Sequence, residues 1–157
     1  MKLSSTVFSA ETRIPTIYTC DGEDRIPPLE ITGVPEGTIS LTIIMDDPDV
    51  PASVRPEQMW DHWLCWNIPP QTSAITEGAE PQGVVGHNSG GKKGYMGPCP
   101  PDREHRYFFK LYAIDTMLDI PETATKDELL AAMGGHILEQ TELMGRYNRP
   151  ENEKKKL

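Results

Sequence analysis

The chain lacks any long apolar run. No stretch of it approaches the about 20 consecutive apolar residues that a membrane-spanning helix needs. Residues 1–10 contain one lysine but no apolar core of the kind that marks a signal peptide. The sequence therefore predicts a protein with no transmembrane segment and with a cytoplasmic location.

Cysteine is also scarce. The chain contains Cys20, Cys65 and Cys99, an odd number with no CxxC pair, which is neither a zinc-binding pattern nor a disulfide framework. Because free cysteine is among the most buried residue types, we expect buried or half-buried thiols. A contact between Cys20 and Cys99 is the exception that the sequence leaves open.

Basic residues are outnumbered by acidic ones. The chain has 15 Lys and Arg residues against 24 Asp and Glu residues, which gives a net charge of −9. Non-specific nucleic-acid binding draws its affinity from Lys and Arg that neutralise phosphates, so this balance argues against a nucleic-acid partner. A small anion bound in one pocket is still allowed, since the field of a pocket can differ in sign from that of the whole molecule.

Turn-forming residues, by contrast, are abundant. Fifteen Pro and 13 Gly in 157 residues predict many short elements joined by tight loops, which favours β architecture. Runs rich in β-branched and aromatic residues predict strands at Lys2–Phe8, Pro15–Thr19, Leu29–Ile31, Ser40–Met45, His62–Asn67 and His105–Ile114. In the last run apolar side chains point both ways, so we expect a central strand covered on both faces.

One helix is predicted near the C-terminal end. Thr125 can cap it, Glu128 completes a capping box three residues later, and the glycine pair that begins at Gly134 ends it. The following segment, His136–Tyr147, fits a helix or a strand equally well. A helix in this position is compatible with a chain that is otherwise built from strands.

The end of the chain is polar. The residues Asn148–Leu157 include a run of three lysines and few apolar side chains, so we expect a frayed tail. No internal repeat and no linker interrupts the chain before that point. The sequence therefore predicts a single domain over residues 1–149, followed by a polar tail over residues 150–157.

A glycine-rich segment nearly matches a phosphate-binding loop. Residues 86–93 fit the pattern GxxxxGK[ST] except that Lys93 stands where a metal-binding hydroxyl is required. The glycines and prolines that follow prevent the helix that such a loop needs, which excludes nucleotide hydrolysis. What remains is a turn from Gly86 to Gly97 that could bring backbone N–H groups close to a ligand. A plain surface loop is the alternative.

Histidine and tyrosine supply the candidate anion donors. His105 and Tyr107 lie two residues apart in a predicted strand, so both side chains point to one face, and His62 begins another strand-like run. Imidazole and phenol N–H and O–H groups suit phosphate or carboxylate oxygens. Asp47 or Asp49 could orient an imidazole and favour its charged form. The remaining histidines, at 87 and 136, lack such neighbours and are interpreted as structural.

Two other chemistries use the same residue types. His62, His105 and two carboxylates are the ligand types of a zinc or iron site, but no HxH or HExxH pairing holds them together. A hydrolytic triad is disfavoured because the chain has no GxSxG and no Ser or Cys with a base at a diagnostic spacing. The residues alone indicate a β-rich domain with a His, Tyr and Gly anion pocket.

Taken together, several segments resemble the phosphatidylethanolamine-binding protein family, in its microbial Raf-kinase-inhibitor-like branch. The order and spacing match from about Leu3 to Arg149, and five linked motifs are far more specific than any one of them. The segments that carry the resemblance are Tyr18–Gly22, Asp46–Pro51, Asp61–Pro69, Gly94–Pro101 and His105–Asp115.

The resemblance implies a fold and a site. The fold is a mostly β, Greek-key sandwich of two antiparallel sheets with a short helix near the C-terminus. The site is a small anion pocket that requires no metal and no organic cofactor. Its implied residues are Asp47, His62, Gly97, Pro101, His105 and Tyr107, with Asp49 and Pro51 at the rim.

The resemblance also implies a function. It is the non-enzymatic binding of phosphate, phosphorylated head groups or carboxylated anions, in a regulatory or inhibitor module of kinase or protease signalling. The alternatives are a hydrolase that acts on phosphate or carboxylate esters with His62 and His105, and an interaction protein that uses an exposed loop. Microbial relatives suggest a homodimer, which nothing in the sequence itself indicates. A bond between Cys20 and Cys99 would tie two loops near the pocket and make it sensitive to redox conditions.

Overall fold

A computed structural model describes residues 1–154. Within this range the strands form two antiparallel sheets. The larger sheet has the order β6 (Val84–Val85), β4 (Trp60–Ile68), β3 (Ser40–Asp47), β7 (His105–Ile114) and β8 (Ile137–Tyr147). The smaller sheet has the order β1 (Lys2–Ser4), β2 (Leu29–Thr32) and β5 (Ala74–Ile75). The predicted fold class, mostly β with two antiparallel sheets and a short helix near the C-terminus, is confirmed.

The larger sheet is covered on both faces around its middle strand. Every residue of β3 is buried, as its nearly continuous apolar sequence requires. On the inner face, Ile43 joins a cluster with Ile31 of the smaller sheet. On the outer face, Ile44 joins a second cluster with Leu129 of the helix α1 (Lys126–Met133). The strand that lies between two hydrophobic layers along its whole length is thus β3, whereas β7 is half-exposed at alternate positions in its first half.

The predicted helix is present at the expected place. Thr125 accepts a hydrogen bond from the backbone of Glu128, whose side chain accepts one in return from the backbone of Thr125. This capping box satisfies two N–H groups that the first turn leaves without helical partners. The helix ends at Met133 with Gly134 as its C-cap, and Gly135 follows with φ of 80°, a conformation that glycine adopts without strain.

The structure decides the secondary structure of two segments, the one after α1 and the one over Pro15–Thr19. The segment after α1 is the strand β8, which pairs with β7 along almost its whole length. The strand predicted over Pro15–Thr19 is wrong, because Thr16–Tyr18 forms a single 3-10 turn. The hydroxyl of Thr19 donates to the carbonyl of Thr16 at 2.8 Å, a local bond that competes with pairing to another strand.

The end of the described chain is helical. Residues Pro150–Lys154 form the short helix α2, and the buried Asn152 donates a hydrogen bond of 2.8 Å to the carbonyl of Pro100. The prediction of a frayed tail is therefore wrong for this part, since a buried side chain anchors it; residues 155–157 lie outside the described range. The division into a domain over 1–149 and a tail stays a prediction. No helix within residues 1–154 has the length and apolar character needed to cross a membrane.

Candidate functional site

An irregularity at the end of β3 builds the candidate site. The pairing of β3 with β4 runs from Met45 opposite Trp63 to Asp46 opposite Asp61, so one residue of β4, His62, is extra. A bulge of this kind turns the side chains that precede it to the other face of the sheet. Trp63 belongs to the inner cluster, and the bulge allows its neighbour His62 to reach the inner side as well.

The bulge opens onto a cavity of about 290 Å³. The ends of three strands and the loops that precede or follow them supply its walls. The lining residues are Cys20, Asp24, Asp47, Val50, Val54, Trp60, His62, Met96, Gly97, Cys99, Pro101 and Tyr107. Five of the eight residues implied by the sequence line this cavity together: Asp47, His62, Gly97, Pro101 and Tyr107.

Tyr107 provides a buried hydroxyl group in this cavity. Its side chain is fully buried, and among residues 1–154 its hydroxyl oxygen makes no hydrogen bond of regular geometry, although Asp47 and the backbone of Cys99 lie close enough to act on it. Burial, together with the negative charge of Asp47, raises the pKa of this phenol far above its usual range. The hydroxyl therefore keeps its proton at any physiological pH and remains a hydrogen-bond donor.

One ring nitrogen of His62 is used in a hydrogen bond, and the other, Nε2, is available to a ligand. Its Nδ1 lies 2.6 Å from the carbonyl oxygen of Met96, and because a carbonyl only accepts, Nδ1 carries a proton. Burial lowers the pKa of His62, against the opposing effects of the Met96 carbonyl and the nearby carboxylates. The ring is thus neutral near neutral pH, with Nε2 as an acceptor. It becomes a second donor when it takes up a proton.

His105 lies behind the cavity wall. Its Nδ1 is 2.6 Å from Asp47 Oδ2 and its Nε2 is 2.7 Å from Asp102 Oδ1, so both ring nitrogens donate to carboxylates. Burial alone would lower the pKa of His105, but the hydrogen bonds and charges of the two aspartates outweigh it and raise the pKa. Of the two aspartates expected to orient an imidazole, Asp47 is the one in contact with His105, and its charge favours the protonated ring. A direct hydrogen bond from His105 to an anion stays a prediction, since both of its ring nitrogens are paired with carboxylates in this structure.

The two residues implied for the rim lie outside the lining. Asp49 accepts hydrogen bonds from the backbone and the guanidinium of Arg106, at 2.8–2.9 Å, and this interaction lowers the pKa of its carboxyl group. Its backbone N–H donates to Asp47 at 2.7 Å, so it acts on the cavity through that residue. Pro51 follows in the same loop and accepts backbone hydrogen bonds from Val54 and Arg55. A direct role of Asp49 and Pro51 in binding stays a prediction.

Gly97 allows two segments of the backbone to pack closely, and its N–H group donates to a side chain of the protein. A Cβ at this position would lie 2.5 Å from the carbonyl oxygen of Tyr18, a distance that backbone atoms cannot accommodate. Its N–H donates to Asp24 Oδ1 at 2.9 Å. Burial raises the pKa of the Asp24 carboxyl group, and the hydrogen bond from Gly97 opposes that shift. The close approach expected of this glycine is therefore an approach to the chain itself.

The glycine-rich segment that resembles a phosphate loop is folded onto a single side chain. The amide oxygen of the buried Asn88 accepts hydrogen bonds from the backbone N–H groups of Gly90 and Lys92. The N–H of Gly91 donates to the carbonyl of the same asparagine. These three N–H groups point at Asn88 and are not available to a ligand, which corrects the expectation that this part of the turn approaches one.

A disulfide bond closes one wall of the cavity. Cys20 and Cys99 are joined across 79 residues of sequence, and both line the cavity. Cys65 is a buried free thiol, and burial raises its pKa well above the usual value. The expectation of three thiols is therefore wrong for two of them, and the contact that the sequence left open is a bond.

Sequence reasoning missed several residues of the site. Asp24, Trp60 and Met96 line the cavity but were not among the candidate residues, although Met96 lies within the Gly94–Pro101 segment. Trp60 donates its indole N–H to the sulfur of Met96 at 3.3 Å, and the guanidinium of Arg55 lies over its ring at 5.2 Å. The available signal was that Met96 lies within the motif that contains Gly97 and that Trp60 directly precedes the motif that contains His62.

The neighbouring aspartate has a different environment. Asp46 points to the outer face, where Lys110 and Lys126 lie 3.0 and 3.2 Å from its Oδ2. Lys126 also pairs with Asp61 at 2.7 Å. Burial would lower the pKa of Lys126, but the two carboxylates outweigh it and raise the pKa. Within residues 1–154 no three or more His, Cys, Asp or Glu side chains, on either face, are grouped as metal ligands.

Comparison with known proteins gives a consistent result. A profile of the phosphatidylethanolamine-binding protein family matches residues 4–148. The UPF0098 protein of Methanothermobacter thermautotrophicus is 47% identical over 155 residues, which cover 95% of this chain and 99% of that protein. The UPF0098 protein of Chlamydia trachomatis is 46% identical over 149 residues, with 95% and 99% of the two chains covered.

Solved structures agree with the sequence matches. A crystal structure from Chlamydia trachomatis, described as a phosphatidylethanolamine-binding protein homologue, superposes with a TM-score of 0.91 at 46% identity and covers 94% of this chain and 96% of that one. The crystal structure of Escherichia coli YbcL, described as a new member of the mammalian phosphatidylethanolamine-binding protein family, superposes with a TM-score of 0.84 at 26% identity. The match covers 94% of this chain and 98% of that one.

Proposed function

Because the chain belongs to the phosphatidylethanolamine-binding protein family, we propose that its cavity binds a small oxyanion, such as phosphate or a phosphorylated or carboxylated group. The hydroxyl of Tyr107, a buried donor without a regular hydrogen bond among the described residues, is the observation that carries this proposal. Leaving such a group unsatisfied costs about 1–3 kcal/mol. An anion oxygen in the cavity would accept its hydrogen bond and remove that cost.

Binding of the anion is linked to a proton. With His62 neutral, its Nε2 accepts a hydrogen bond from a protonated oxyanion; with His62 charged, Nε2 donates to a deprotonated one. In both descriptions the complex contains one proton more than neutral His62 and the fully ionised anion. Affinity for a phosphate monoester is therefore expected to rise as the pH falls, whereas the dianion of inorganic phosphate already carries an O–H that neutral His62 can accept from.

The walls of the cavity restrict the group that can enter. Val50, Val54, Trp60 and Pro101 supply apolar surface around the polar floor formed by His62 and Tyr107. A volume of about 290 Å³ is at the lower end of ligand pockets. The ligand is accordingly a small oxyanion, free or at the end of a larger molecule.

We place this binding in a regulatory or inhibitor role without catalysis. A phosphorylated or carboxylated group on a protein partner, such as a kinase or a protease, would present the same oxygens as a free anion. The sequence-based expectations of a homodimer and a cytoplasmic location stay predictions. A disulfide is more typical of oxidising compartments, so the location and the redox state of Cys20 and Cys99 should be measured together.

The hydrolase alternative needs two histidines that can exchange protons with a substrate. Both ring nitrogens of His105 donate to carboxylates, which leaves His62 as the histidine of the cavity floor. Among residues 1–154 the lining holds this single histidine, no Ser or Thr, and two cysteines that are joined to each other, which does not form the acid and base pair of an ester hydrolase. This geometry favours binding over turnover.

An NMR titration with inorganic phosphate and O-phosphorylethanolamine tests the proposal. The matched variants are Tyr107→Phe, which removes the hydroxyl in the cavity, and Tyr112→Phe, which removes a hydroxyl from the outer face of the same strand. We expect saturable shifts of the His62 ring and of the Met96–Pro101 amides in the wild type. Tyr107→Phe should weaken binding about ten-fold or more, as loss of a hydrogen bond to an anion predicts.

Tyr112→Phe should bind phosphate like the wild type. Equal binding by both tyrosine variants would remove the observation on which the proposal rests. Absence of saturable shifts at millimolar phosphate would exclude the oxyanion pocket, and the exposed loops would then be the place to search for a protein partner.

A further inference from the structure

Asp102 contacts the site from outside. It lies in the loop that precedes β7, does not line the cavity, and its side chain is 40% exposed. Its Oδ1 nonetheless lies 2.7 Å from Nε2 of the fully buried His105. Asp102 precedes His105 by three residues, and its carboxylate contacts Nε2 of the imidazole ring. Asp47 contacts the other ring nitrogen, Nδ1.

The surroundings of His105 leave these two carboxylates as its charged neighbours. Tyr107, on the same strand, stacks on the ring with centroids 6.4 Å apart. Tyr147, opposite His105 in register on β8, donates its hydroxyl to Asp21 at 2.7 Å. Asp47 Oδ1 accepts from the backbone of Asp49, and its Oδ2 accepts from His105. The ring therefore carries two N–H groups and a positive charge, directly behind the carboxylate that lines the cavity.

We propose that Asp102 is a positioning residue that holds His105 as an imidazolium against Asp47 and thereby sets the anion affinity of a cavity that it does not line. This inference rests on the proposed function. An uncompensated Asp47 carboxylate beside the ligand would repel any oxyanion. The imidazolium behind Asp47 offsets this repulsion, and Asp102 supplies the second acceptor that a buried imidazolium requires.

The consequence is a difference between variants that depends on pH. Without the Asp102 charge, burial favours the neutral ring, and His105 loses its proton at a lower pH than in the wild type. At acidic pH the ring is charged in both proteins, so phosphate affinity is similar. Between the two deprotonation points His105 is charged in the wild type alone, and the variant binds phosphate more weakly.

The test compares Asp102→Asn, Asp102→Glu and the control Asp115→Asn. Asp115 pairs with His136 at 2.7 Å at an exposed site outside the cavity lining, so the control removes a carboxylate from a histidine that has no part in the proposal. The first readout is the ring nitrogen chemical shifts of His105 against pH, without ligand. The second is the dissociation constant for inorganic phosphate, measured across the same pH range.

We expect Asp102→Asn to lower the pH at which His105 deprotonates. The ratio of its phosphate dissociation constant to that of the wild type should stay near one at about pH 5 and rise to about five- to ten-fold between the two deprotonation points. Asp102→Glu should restore the wild-type ratio in part, and Asp115→Asn should leave both readouts unchanged.

Two results would overturn the inference. One is a weakening of phosphate binding by Asp102→Asn that is the same at every pH, which is the sign of a purely structural role. The other is an unchanged His105 titration. If the wild type binds no phosphate, the proposed function fails and the affinity half of the inference fails with it, while the ring titration still decides whether Asp102 controls His105.

Discussion

The two faces of the larger sheet treat adjacent aspartates in different ways. Asp46 points outward to Lys110 and Lys126, and Asp47 points inward to His105. Both carboxylates are almost completely buried and both are paired with cations. The outer cations are ammonium groups, which stay charged throughout the physiological range, whereas the inner cation is an imidazole, whose charge can change within it.

The difference shows how one strand end can serve two purposes. Lys126 is the first residue of α1, so the outer pairs fix the helix on the sheet. The inner pair lies beside an open cavity with a buried hydroxyl. We interpret the outer side as structural and the inner side as the part of the sheet that responds to ligand and pH.

Removing the disulfide should have the largest effect on stability. Among the described residues this cross-link lies on the inner side of the sheet, so its loss should affect the cavity and leave the outer ion pairs in place. The double variant Cys20→Ser and Cys99→Ser should lose about 4 kcal/mol of unfolding free energy, since the bond closes a loop of 79 residues. Urea unfolding under oxidising and reducing conditions measures this. Reductant should destabilise the wild type by a similar amount and weaken phosphate binding, because both cysteines line the cavity.

The control for this experiment is Cys65→Ala, a change at the buried free thiol. Its stability should be insensitive to reductant beyond the effect seen in the wild type. Unchanged thiol counts and unchanged phosphate affinity after mild oxidation and reduction of the wild type would refute redox control of the cavity.

The next largest effect is expected in the unfolding free energies of Asp47→Asn and Asp46→Asn, which remove the inner and the outer carboxylate in turn. Each change leaves a partly or fully buried cation short of a partner and should cost about 2–3 kcal/mol near pH 6. The folded-state pKa of His105 is raised above 6.5, so the stability that its charge contributes is complete below pH 6.5 and is lost as the pH rises through the folded value. The deficit of Asp47→Asn should therefore shrink at alkaline pH.

Asp46→Asn should behave differently in the same urea titrations. Its partner Lys126 has a pKa raised above 10.5, so the stabilisation persists until the pH passes that value. A constant deficit between about pH 5 and pH 9 is the expected result. Parallel pH profiles for the two variants would show that the faces do not differ in the way described.

A smaller effect on stability is expected from the two histidines of the inner side, whose pKa values are shifted in opposite directions. The folded-state pKa of His62 is lowered, so the unfolded chain binds protons more readily than the folded one as the pH falls through 6.5. His62 should thus reduce stability at acidic pH, with a sign opposite to that of His105. His62→Gln should be less sensitive to acid than the wild type in thermal unfolding, and saturating phosphate should reduce the difference. Equal acid sensitivity would contradict the neutral, buried state of His62.

The smallest effect is expected at an exposed pair of the same chemistry. Asp115→Asn breaks the contact with His136, where both side chains are more than 40% exposed. Exposed pairs contribute about 0–1 kcal/mol, so urea unfolding should change by less than about 0.5 kcal/mol. A larger loss would mean that burial is not what distinguishes the pairs at the end of β3.

Much of the fold was predictable from local signals. The pairing strand His105–Ile114 and the capped helix after Thr125 have a strong period or a strong cap, and the structure has both where the sequence predicts them. The turn at Thr16–Tyr18 and the short strands β5 and β6 were missed, because hydroxyl groups and two-residue pairings leave little pattern in a sequence.

The sequence predicts five of the residues that line the cavity, but not the contacts between them. The cavity brings together Asp47, His62 and Tyr107, yet the separate position of His105 depends on a side-chain contact with Asp102. The disulfide across 79 residues could not be deduced from spacing, since any two of three cysteines could have paired.

The bulge in β4 can also be described in genetic terms. One extra codon in this strand, relative to regular pairing with β3, allows His62 and Trp63 to share a side of the sheet. Deleting that codon would restore strict alternation and leave Trp60 opposite Asp47, but it would remove His62, the side chain that the bulge adds to the inner side. The histidine of the pocket thus depends on one additional residue in this strand, which makes strand length, as much as residue identity, the trait to compare among relatives.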